Sequence, residues 1–453
     1  MGWNCTFGGM NMENRDTIAA LATAPGTGGI AIVRVSGKDA EKMLGRLFHP
    51  VREFESHKMY YGHAVYEGET LDECMAVLMR APRSYTREDV VEFHLHGGEW
   101  AAQSLLSALF RMGVRAAEPG EFTRRAFLNG RIDLSRAEAV MALISAEGGR
   151  AARAAVRQLS GGVSAFIQDA QQQLLHLLSG VAAAIDYPEE ISFEEAAGDL
   201  EAGARALAVQ LENACDERGA RIARTGLEVV LCGRPNVGKS SLLNALSRQQ
   251  RAIVTDIPGT TRDIIRADVM LQGVRVHFAD TAGLRDSEDG IEKIGVELAR
   301  QAIAGADVVL TVLDASNPLT EEDRQLLRDT EGAPRIIVLN KGDLPQVLRP
   351  EDFENCVLVS AARGEGIQAL EDKVIAYAAG AGESALTQER HMHLARQAAR
   401  SLHLAADACA RGEAVDMAAV DLHEALAALG RVTGEQVDEK MIDDIFSRFC
   451  VGK

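Results

Sequence analysis

Gly233-Arg234-Pro235-Asn236-Val237-Gly238-Lys239-Ser240 is the stretch whose reading decides the fold. The apolar, β-type run Leu227-Glu228-Val229-Val230-Leu231-Cys232 precedes it, and Ser241-Leu242-Leu243-Asn244-Ala245-Leu246 follows with a helical pattern. A G-x-x-x-x-G-K-[ST] string gains meaning only in that strand–loop–helix setting. Gly233 and Gly238 let the backbone curl so that successive N–H groups face one concavity, and the helix N-terminus adds positive potential there. Asn236 to Ser241 would then line a row of phosphates. Lys239 is placed to reach the β- and γ-phosphates, and Ser240 offers a hydroxyl to Mg²⁺.

Outward from this loop, beginning near Arg221, apolar strands alternate with helical patterns, as in a doubly wound α/β domain. Thr255-Asp256-Ile257-Pro258-Gly259-Thr260-Thr261-Arg262-Asp263 is a polar loop able to supply a second Mg²⁺ hydroxyl, from Thr261. Asp280-Thr281-Ala282-Gly283 follows a strand expected over Val274–Ala279. Its aspartate suits the Mg²⁺ shell, and the Gly283 N–H suits a γ-phosphate. Asn340-Lys341-Gly342-Asp343 follows a strand expected over Arg335–Leu339. Asp343 can accept hydrogen bonds from guanine N1–H and from its 2-amino group; adenine offers neither. Ser360-Ala361-Ala362 ends another strand and would meet the base from the opposite side. Five such segments in this order imply a Ras-like P-loop GTPase. Leu284 occupies the place where many small GTPases carry a water-orienting glutamine, so another group must orient water. The carboxylate-rich stretch Asp286–Glu292 offers candidates. Asn236 suits either a monovalent cation between the phosphates or hydrogen bonding within the loop.

At 453 residues the chain exceeds one core, so two or three domains are expected. Apolar residues make up 47% and charged ones 25%, the balance of a globular protein. A net charge of −18 argues against a general nucleic-acid binder, because neutralising phosphates needs a basic face. The seven cysteines include no C-x-x-C pair, which suits a reducing cytosol. Met1–Arg15 lacks an apolar core of signal-peptide length, and the most apolar stretch, Leu174–Ile185, is too short and interrupted to span a bilayer. A cytoplasmic location is expected.

Residues 16–131 mix strand and helix patterns, including strands near Asp16–Thr23 and Ile30–Gly37. Arg34 within the second is either an edge-strand surface charge or an anion-binding group, and the residue alone leaves both open. His94 and His96 alternate on a strand and share a face, yet no third metal ligand sits nearby; a polar-contact role is expected. Pro119–Arg131 reads as a turn, a short helix and a second turn. Long Ala- and Leu-rich helices then run to Ile185, and Asp186-Tyr187-Pro188 breaks them. A further helix is expected over Glu194–Arg218. Helical composition returns after Ala379-Gly380-Ala381-Gly382, so one helical domain is inferred, interrupted by the nucleotide domain. The boundaries are 1–131, 132–220, 221–382 and 383–453. Cys450 is fourth from the last residue, but Gly452 and Lys453 do not fit a prenylation signal, so lipidation is not expected.

The chain resembles the MnmE (TrmE) family of tRNA-modification GTPases. The resemblance spans Asp16–Lys453 and rests on Asp16–Gly37, Ser84–Gly98, Pro119–Leu134, the nucleotide motifs and the ending Cys450-Val451-Gly452-Lys453, where the family usually has Cys-Ile-Gly-Lys. It implies a homodimer whose N-terminal α+β domain is tetrahydrofolate-binding-like and holds a 5-formyltetrahydrofolate or related species through Arg34, Glu92, Arg131 and Lys453. Arg131 stands where the family often has lysine. The resemblance further implies a K⁺ site at Asn236, Thr255, Ile257 and Thr260, Mg²⁺ ligands at Ser240 and Thr261, and a water-positioning Glu292. It places Cys450 near the folate as a candidate thiolate. It also implies an FAD-dependent partner of the MnmG type, in a heterotetramer or larger complex, and modification at C5 of the tRNA wobble uridine with a carboxymethylaminomethyl-type group. A ribosome-assembly GTPase is the alternative; such proteins usually add a basic domain, whereas the segment after Gly382 holds more acidic than basic residues. A folate-dependent methyltransferase is a second alternative, without an independent catalytic base in the sequence.

Overall fold

A computed structural model describes residues 16–50, 53–187, 189–190, 192–249, 265–280, 301–379, 383–413 and 415–452. The chain divides into two compact units. The first holds residues up to Met141, Gln158–Ala208 and Gln397 onward; the second holds Ala142–Arg157 and Val209–Arg396.

In the first unit, strands β1 (Ile18–Leu21), β2 (Ile30–Ser36), β3 (Phe48–His49), β4 (Met59–Tyr66), β5 (Glu69–Met79), β6 (Val90–His96) and β7 (Arg115–Ala116) form one sheet in the order β3-β4-β5-β6-β2-β1-β7. Period-2 alternation sorts the side chains between its faces. Val33, Val35, Phe93 and Ala76 meet the amphipathic helices Ala40–Leu47 and Glu99–Arg111 in a core that includes Leu44, Leu47, Leu105 and Leu109. Arg34 and Glu92 are direct cross-strand partners on the opposite face. Because β2 lies between β6 and β1, the edge-strand reading of Arg34 is excluded. The strand expected over Asp16–Thr23 is shorter, Ile18–Leu21.

Helix Glu121–Leu128 follows Gly120, whose φ of +68° and proximity to Phe446 (a Cβ would lie 2.6 Å from its carbonyl oxygen) leave no room for a side chain. Phe127, Leu134, Ile442, Phe446 and Phe449 form a separate apolar cluster that holds helix Glu439–Ser447 against helix Glu121–Leu128. The same helix, Glu121–Leu128, carries an ion network. Arg125 donates to Glu121 at 2.8 Å, Glu88 at 3.0 Å and Asp16 at 3.0 Å, with 5% of its side chain exposed. Burial alone would raise the Glu121 carboxyl, yet the Arg115 and Arg125 guanidiniums and the Glu118 amide hold it below its usual range. Removing the central cation leaves several carboxylates facing one another. Arg125→Met should cost roughly 3 kcal/mol, visible as a lower melting temperature; an unchanged melting curve would show the network to be dispensable.

The Ala- and Leu-rich region breaks more often than its composition suggests. It forms Leu134–Ile144, Gly149–Leu159 and Gly162–Asp186, with Gly161 left-handed at φ +97°. The helix expected over Glu194–Arg218 ends at Asn213, and a second helix, Glu217–Thr225, starts with the Asp216 side chain accepting from the Gly219 amide. Within the first unit, helix Gly162–Asp186 packs along helix Val415–Thr433. Among the described residues no helix is long and apolar enough to cross a membrane.

The second unit is built on β8 (Leu227–Cys232), β9 (Ile265–Leu271), β10 (Val274–Asp280), β11 (Val308–Asp314), β12 (Arg335–Asn340) and β13 (Cys356–Leu358), ordered β13-β12-β11-β8-β10-β9. Only β9 is antiparallel, pairing with β10. The near-continuous apolar runs of β8, β11 and β12 follow from burial on both faces of a parallel sheet. The chain crosses from β10 on one side of β8 to β11 on the other, so β8 marks the topological switch point where ligands of such sheets bind.

Candidate functional site

Parallel pairing brings the carboxyl ends of β8, β10, β11 and β12 to one edge of the sheet. Each recognised motif begins where its strand stops: Gly233 after β8, Asp280 at the end of β10 and Asn340 at the end of β12. Segments spread over more than a hundred residues thereby start from one edge of the sheet.

The phosphate loop is held from several sides. Gly238 has φ +96°, and a Cβ there would lie 2.2 Å from Asn340 Nδ2. A Cβ at Gly233 would meet the Val312 carbonyl oxygen at 2.6 Å. Both glycines are therefore required by space, and Asn236 shares the left-handed bend at φ +63°. Lys239 is buried at the start of helix Lys239–Gln249, its ammonium donating to the carbonyls of Gly233 at 2.8 Å and Arg234 at 3.0 Å. It thus lies folded over the loop. Ser240 is exposed in the first helical turn. Arg234 reaches out of the loop to Asp323 at 2.8 Å, a buried carboxylate that also caps helix Glu321–Asp329.

The base-reading residues are fixed in turn. Asn340 Nδ2 donates to the Val237 carbonyl at 2.8 Å, and its Oδ1 accepts from the Ala361 amide at 3.1 Å, joining the phosphate loop to Ser360–Ala362. Asp343 accepts from the Ser360 hydroxyl at 2.6 Å, and that bond draws its carboxyl below the usual range. The Ser360 bond is made to Oδ1, and the residue's own backbone amide also donates to the carboxylate. Lys341, with φ +65°, pairs with Asp314 at 2.7 Å. Sequence reasoning missed Asp314, Arg234 and Asp323; a carboxylate closing the apolar run Val308–Leu313 was the available signal.

Thr255, Asp256, Ile257, Pro258, Gly259, Thr260, Thr261, Thr281, Ala282, Gly283, Leu284 and Glu292 lie outside the described residues, as does the Asp280 side chain. Met1–Arg15, Gly380–Gly382 and Lys453 lie outside them too.

A second constellation sits on the first unit's sheet. Arg34 Nε donates to Glu92 at 2.8 Å, and Arg34 Nη1 donates to the Gly452 carbonyl at 3.3 Å. The Arg34 guanidinium lies 5.2 Å from the Tyr85 ring centre and 5.6 Å from that of Phe122. Arg131 lies over the same Tyr85 ring at 4.5 Å, with its Nε buried and without a hydrogen-bond partner. His94 Nε2 is 3.4 Å from Glu92 Oε2. The Glu92 carboxyl is held low by His94 first and by Arg34, against the opposing effect of burial. His96 bonds instead to Asp72 at 2.8 Å. The structure thus brings Arg34, Glu92 and Arg131 together and adds Tyr85, Phe122 and His94. Cys450 is exposed in the segment beside them, its carbonyl accepting from the Gly120 amide at 3.3 Å. Two cations stacked on an aromatic ring, one of them with an unmet buried N–H, suit a planar anionic ligand.

A phosphate loop, a guanine-type carboxylate and the asparagine that joins them, on one edge of a doubly wound sheet, define a P-loop guanine-nucleotide-binding protein. Residues 17–131 match the model described as the GTP-binding protein TrmE N-terminus, and residues 134–450 match the MnmE helical domain. The tRNA modification GTPase MnmE of Streptococcus thermophilus is 44% identical over 97% of this chain and 98% of its own length. That of Chloroflexus aurantiacus is 46% identical over 97% of this chain and its entire length. Among solved structures, the G domain of the T. maritima FeoB iron transporter is 28% identical, covering 34% of this chain and 98% of that one, with a TM-score of 0.28. The chain belongs to the MnmE (TrmE) family.

Proposed function

We propose that this chain is a GTP hydrolase acting in tRNA modification. Membership of the family along nearly the full length carries the reading, supported by the convergence of Gly233–Ser240, Asn340–Asp343 and Ser360–Ala362 on one sheet edge. Guanine is selected by the free lone pairs of Asp343, since a ligand lacking the 2-amino group leaves a polar group unpaired. Lys239 and the loop amides, which the Gly238 backbone allows to approach closely, hold the phosphates.

The cradle around Gly238 and the exposed Ser240 hydroxyl fit a nucleotide with its Mg²⁺, for which Ser240 and Thr261 would be the protein's oxygen donors. Asn236, Thr255, Ile257 and Thr260 would hold K⁺. When bound, these cations neutralise charge developing on the transferred phosphoryl group. With Leu284 unable to orient water, Glu292 takes that role.

The paired arginines over Tyr85, and the unmet Arg131 Nε, fit the anionic, aromatic character of 5-formyltetrahydrofolate or a related tetrahydrofolate. Arg34, Glu92, Arg131 and Lys453 would bind it, with Cys450 beside the reacting carbon. On this reading 1–131 is a tetrahydrofolate-binding-like dimerisation domain. Parts 132–220 and 383–453 make a helical domain interrupted by the Ras-like domain 221–382. The homodimer works in the cytoplasm with an MnmG-type FAD-dependent partner, which supplies most of the tRNA surface that a chain of net charge −18 lacks. Together they install a carboxymethylaminomethyl-type group at C5 of the wobble uridine.

Nucleoside mass spectrometry of bulk tRNA from cells lacking this chain tests the reading. The C5-modified wobble uridines should vanish, return on complementation, and fail to return with Glu292→Ala. Unchanged nucleosides in the deletion strain would refute it.

A further inference from the structure

Asp314 closes β11 in direct register with Asn340, and the Ala315 amide donates to the Asn340 carbonyl at 2.8 Å. Its carboxylate is 9% exposed and accepts four hydrogen bonds. Ser316 gives its amide at 3.0 Å and its hydroxyl at 2.6 Å, Asn317 its side-chain amide at 3.0 Å, and Lys341 its ammonium at 2.7 Å. Burial opposes the charge, yet the ammonium and the other donors bring the carboxyl down to about 2, so it is an anion at any physiological pH. A short turn, Asp314–Asn317, is thus built around a fixed negative charge facing one lysine.

That lysine stands two residues before the carboxylate that reads the base. Residues 341–345 are Lys-Gly-Asp-Leu-Pro, so Asp343 is the other carboxylate on this loop. An ammonium released from Asp314 has Asp343 as its nearest acidic neighbour along the chain, and pairing there would occupy the lone pairs that guanine N1–H and its amino group require.

We propose that Asp314 is a positioning residue for guanine selection, which holds the Lys341 ammonium away from Asp343 so that this carboxylate stays open to the base. The inference rests on the guanine-nucleotide reading of the site and deepens it. Asp314 acts through Lys341 and does not touch the ligand.

Calorimetric titration of the full chain with GDP and with IDP, which lacks the 2-amino group, tests it. Wild type should prefer GDP, and Asp314→Asn should lose roughly 10-fold or more of GDP affinity, the scale of a charge-assisted hydrogen bond, with a smaller loss for IDP, which keeps N1–H but lacks the second donor, so the GDP-to-IDP ratio should fall. Adding Lys341→Met removes the displaced ammonium, so the double variant should regain the wild-type GDP-to-IDP ratio. Lys341→Met alone should weaken both ligands alike and keep that ratio, which is readable even if Asp314→Asn folds poorly. A residue serving only the fold would weaken both ligands equally and gain nothing from the second substitution; that result would overturn the proposal. A wild-type ratio in Asp314→Asn would do the same. Wild type that takes up neither GDP nor IDP would refute the nucleotide reading itself.

Discussion

Lys239→Ala should lower GTP turnover by at least about 100-fold, the usual effect of removing one preorganised charged donor from an anionic transition state. Much of the energetic cost of placing this side chain is met before any ligand binds. An ammonium that is buried carries a desolvation cost, and here two loop carbonyls, those of Gly233 and Arg234, offset it before any phosphate arrives. A phosphate oxygen can replace those carbonyls without the lysine having to be drawn from solvent, so the reorganisation cost is largely met in advance. Alanine takes away the charge and leaves two carbonyls without that donor, at a cost to the fold of about 1 kcal/mol. The melting temperature should therefore shift little while phosphate release collapses. Turnover within a few-fold of wild type, in a variant shown to bind GTP, would mean that the loop amides alone stabilise the reaction and that Lys239 is misassigned.

The sequence made the nucleotide site readable because a P-loop domain writes its function at strand ends. Each motif follows an apolar run, and a parallel sheet necessarily carries such ends to one edge. The strands expected over Val274–Ala279 and Arg335–Leu339 extend one residue further, into the motif residues Asp280 and Asn340. What could not be read were the partners that tune those motifs. Asp314 supports Lys341 across 27 positions and Asp323 supports Arg234 across 89; a lone carboxylate at either place looks like any surface acid. The helical region was readable in composition and less so in segmentation. Alanine and leucine favour helix everywhere, so the breaks at Ser145–Gly148 and at Ser160–Gly161 depend on tertiary fit, such as the Arg136 guanidinium lying where a Cβ at position 161 would point. The anion pocket lay between these cases. Arg34, Glu92 and Arg131 came from resemblance, while Tyr85 and Phe122 lie in resembling stretches without a role of their own there, and their part emerges only when β2, the Ser84–Asp89 turn and helix Glu121–Leu128 are brought together.

On the proposed folate reading, Gly452→Ala should weaken folate binding roughly 100-fold without touching GTP hydrolysis, and contrasting it with Cys450→Ser separates placement from chemistry. Gly452 sits at φ +94°, where a side chain costs about 1–2 kcal/mol. The larger obstacle is space: a Cβ would lie 2.1 Å from the Leu21 carbonyl oxygen and 3.0 Å from the Ala22 Cα, backbone atoms at the end of β1 and just beyond it. Neither can yield as a flexible side chain would, so residues 450–452 must leave the sheet. With them goes the carbonyl that accepts from Arg34 at 3.3 Å, and Cys450 loses its place beside Gly120. Loss of a fixed wall and of a guanidinium's partner should weaken 5-formyltetrahydrofolate roughly 100-fold, about 3 kcal/mol. Cys450→Ser keeps the backbone and changes one exposed atom. It should bind folate within a few-fold of wild type and hydrolyse GTP normally, yet leave wobble uridine unmodified, because a serine hydroxyl at neutral pH is a far weaker nucleophile than a thiolate. Full modification by Cys450→Ser would remove the thiolate from the mechanism while leaving the docked segment its structural part. Undiminished folate binding by Gly452→Ala would show that the segment does not form the pocket at all, and Arg34 with Glu92 would then have to hold the ligand unaided.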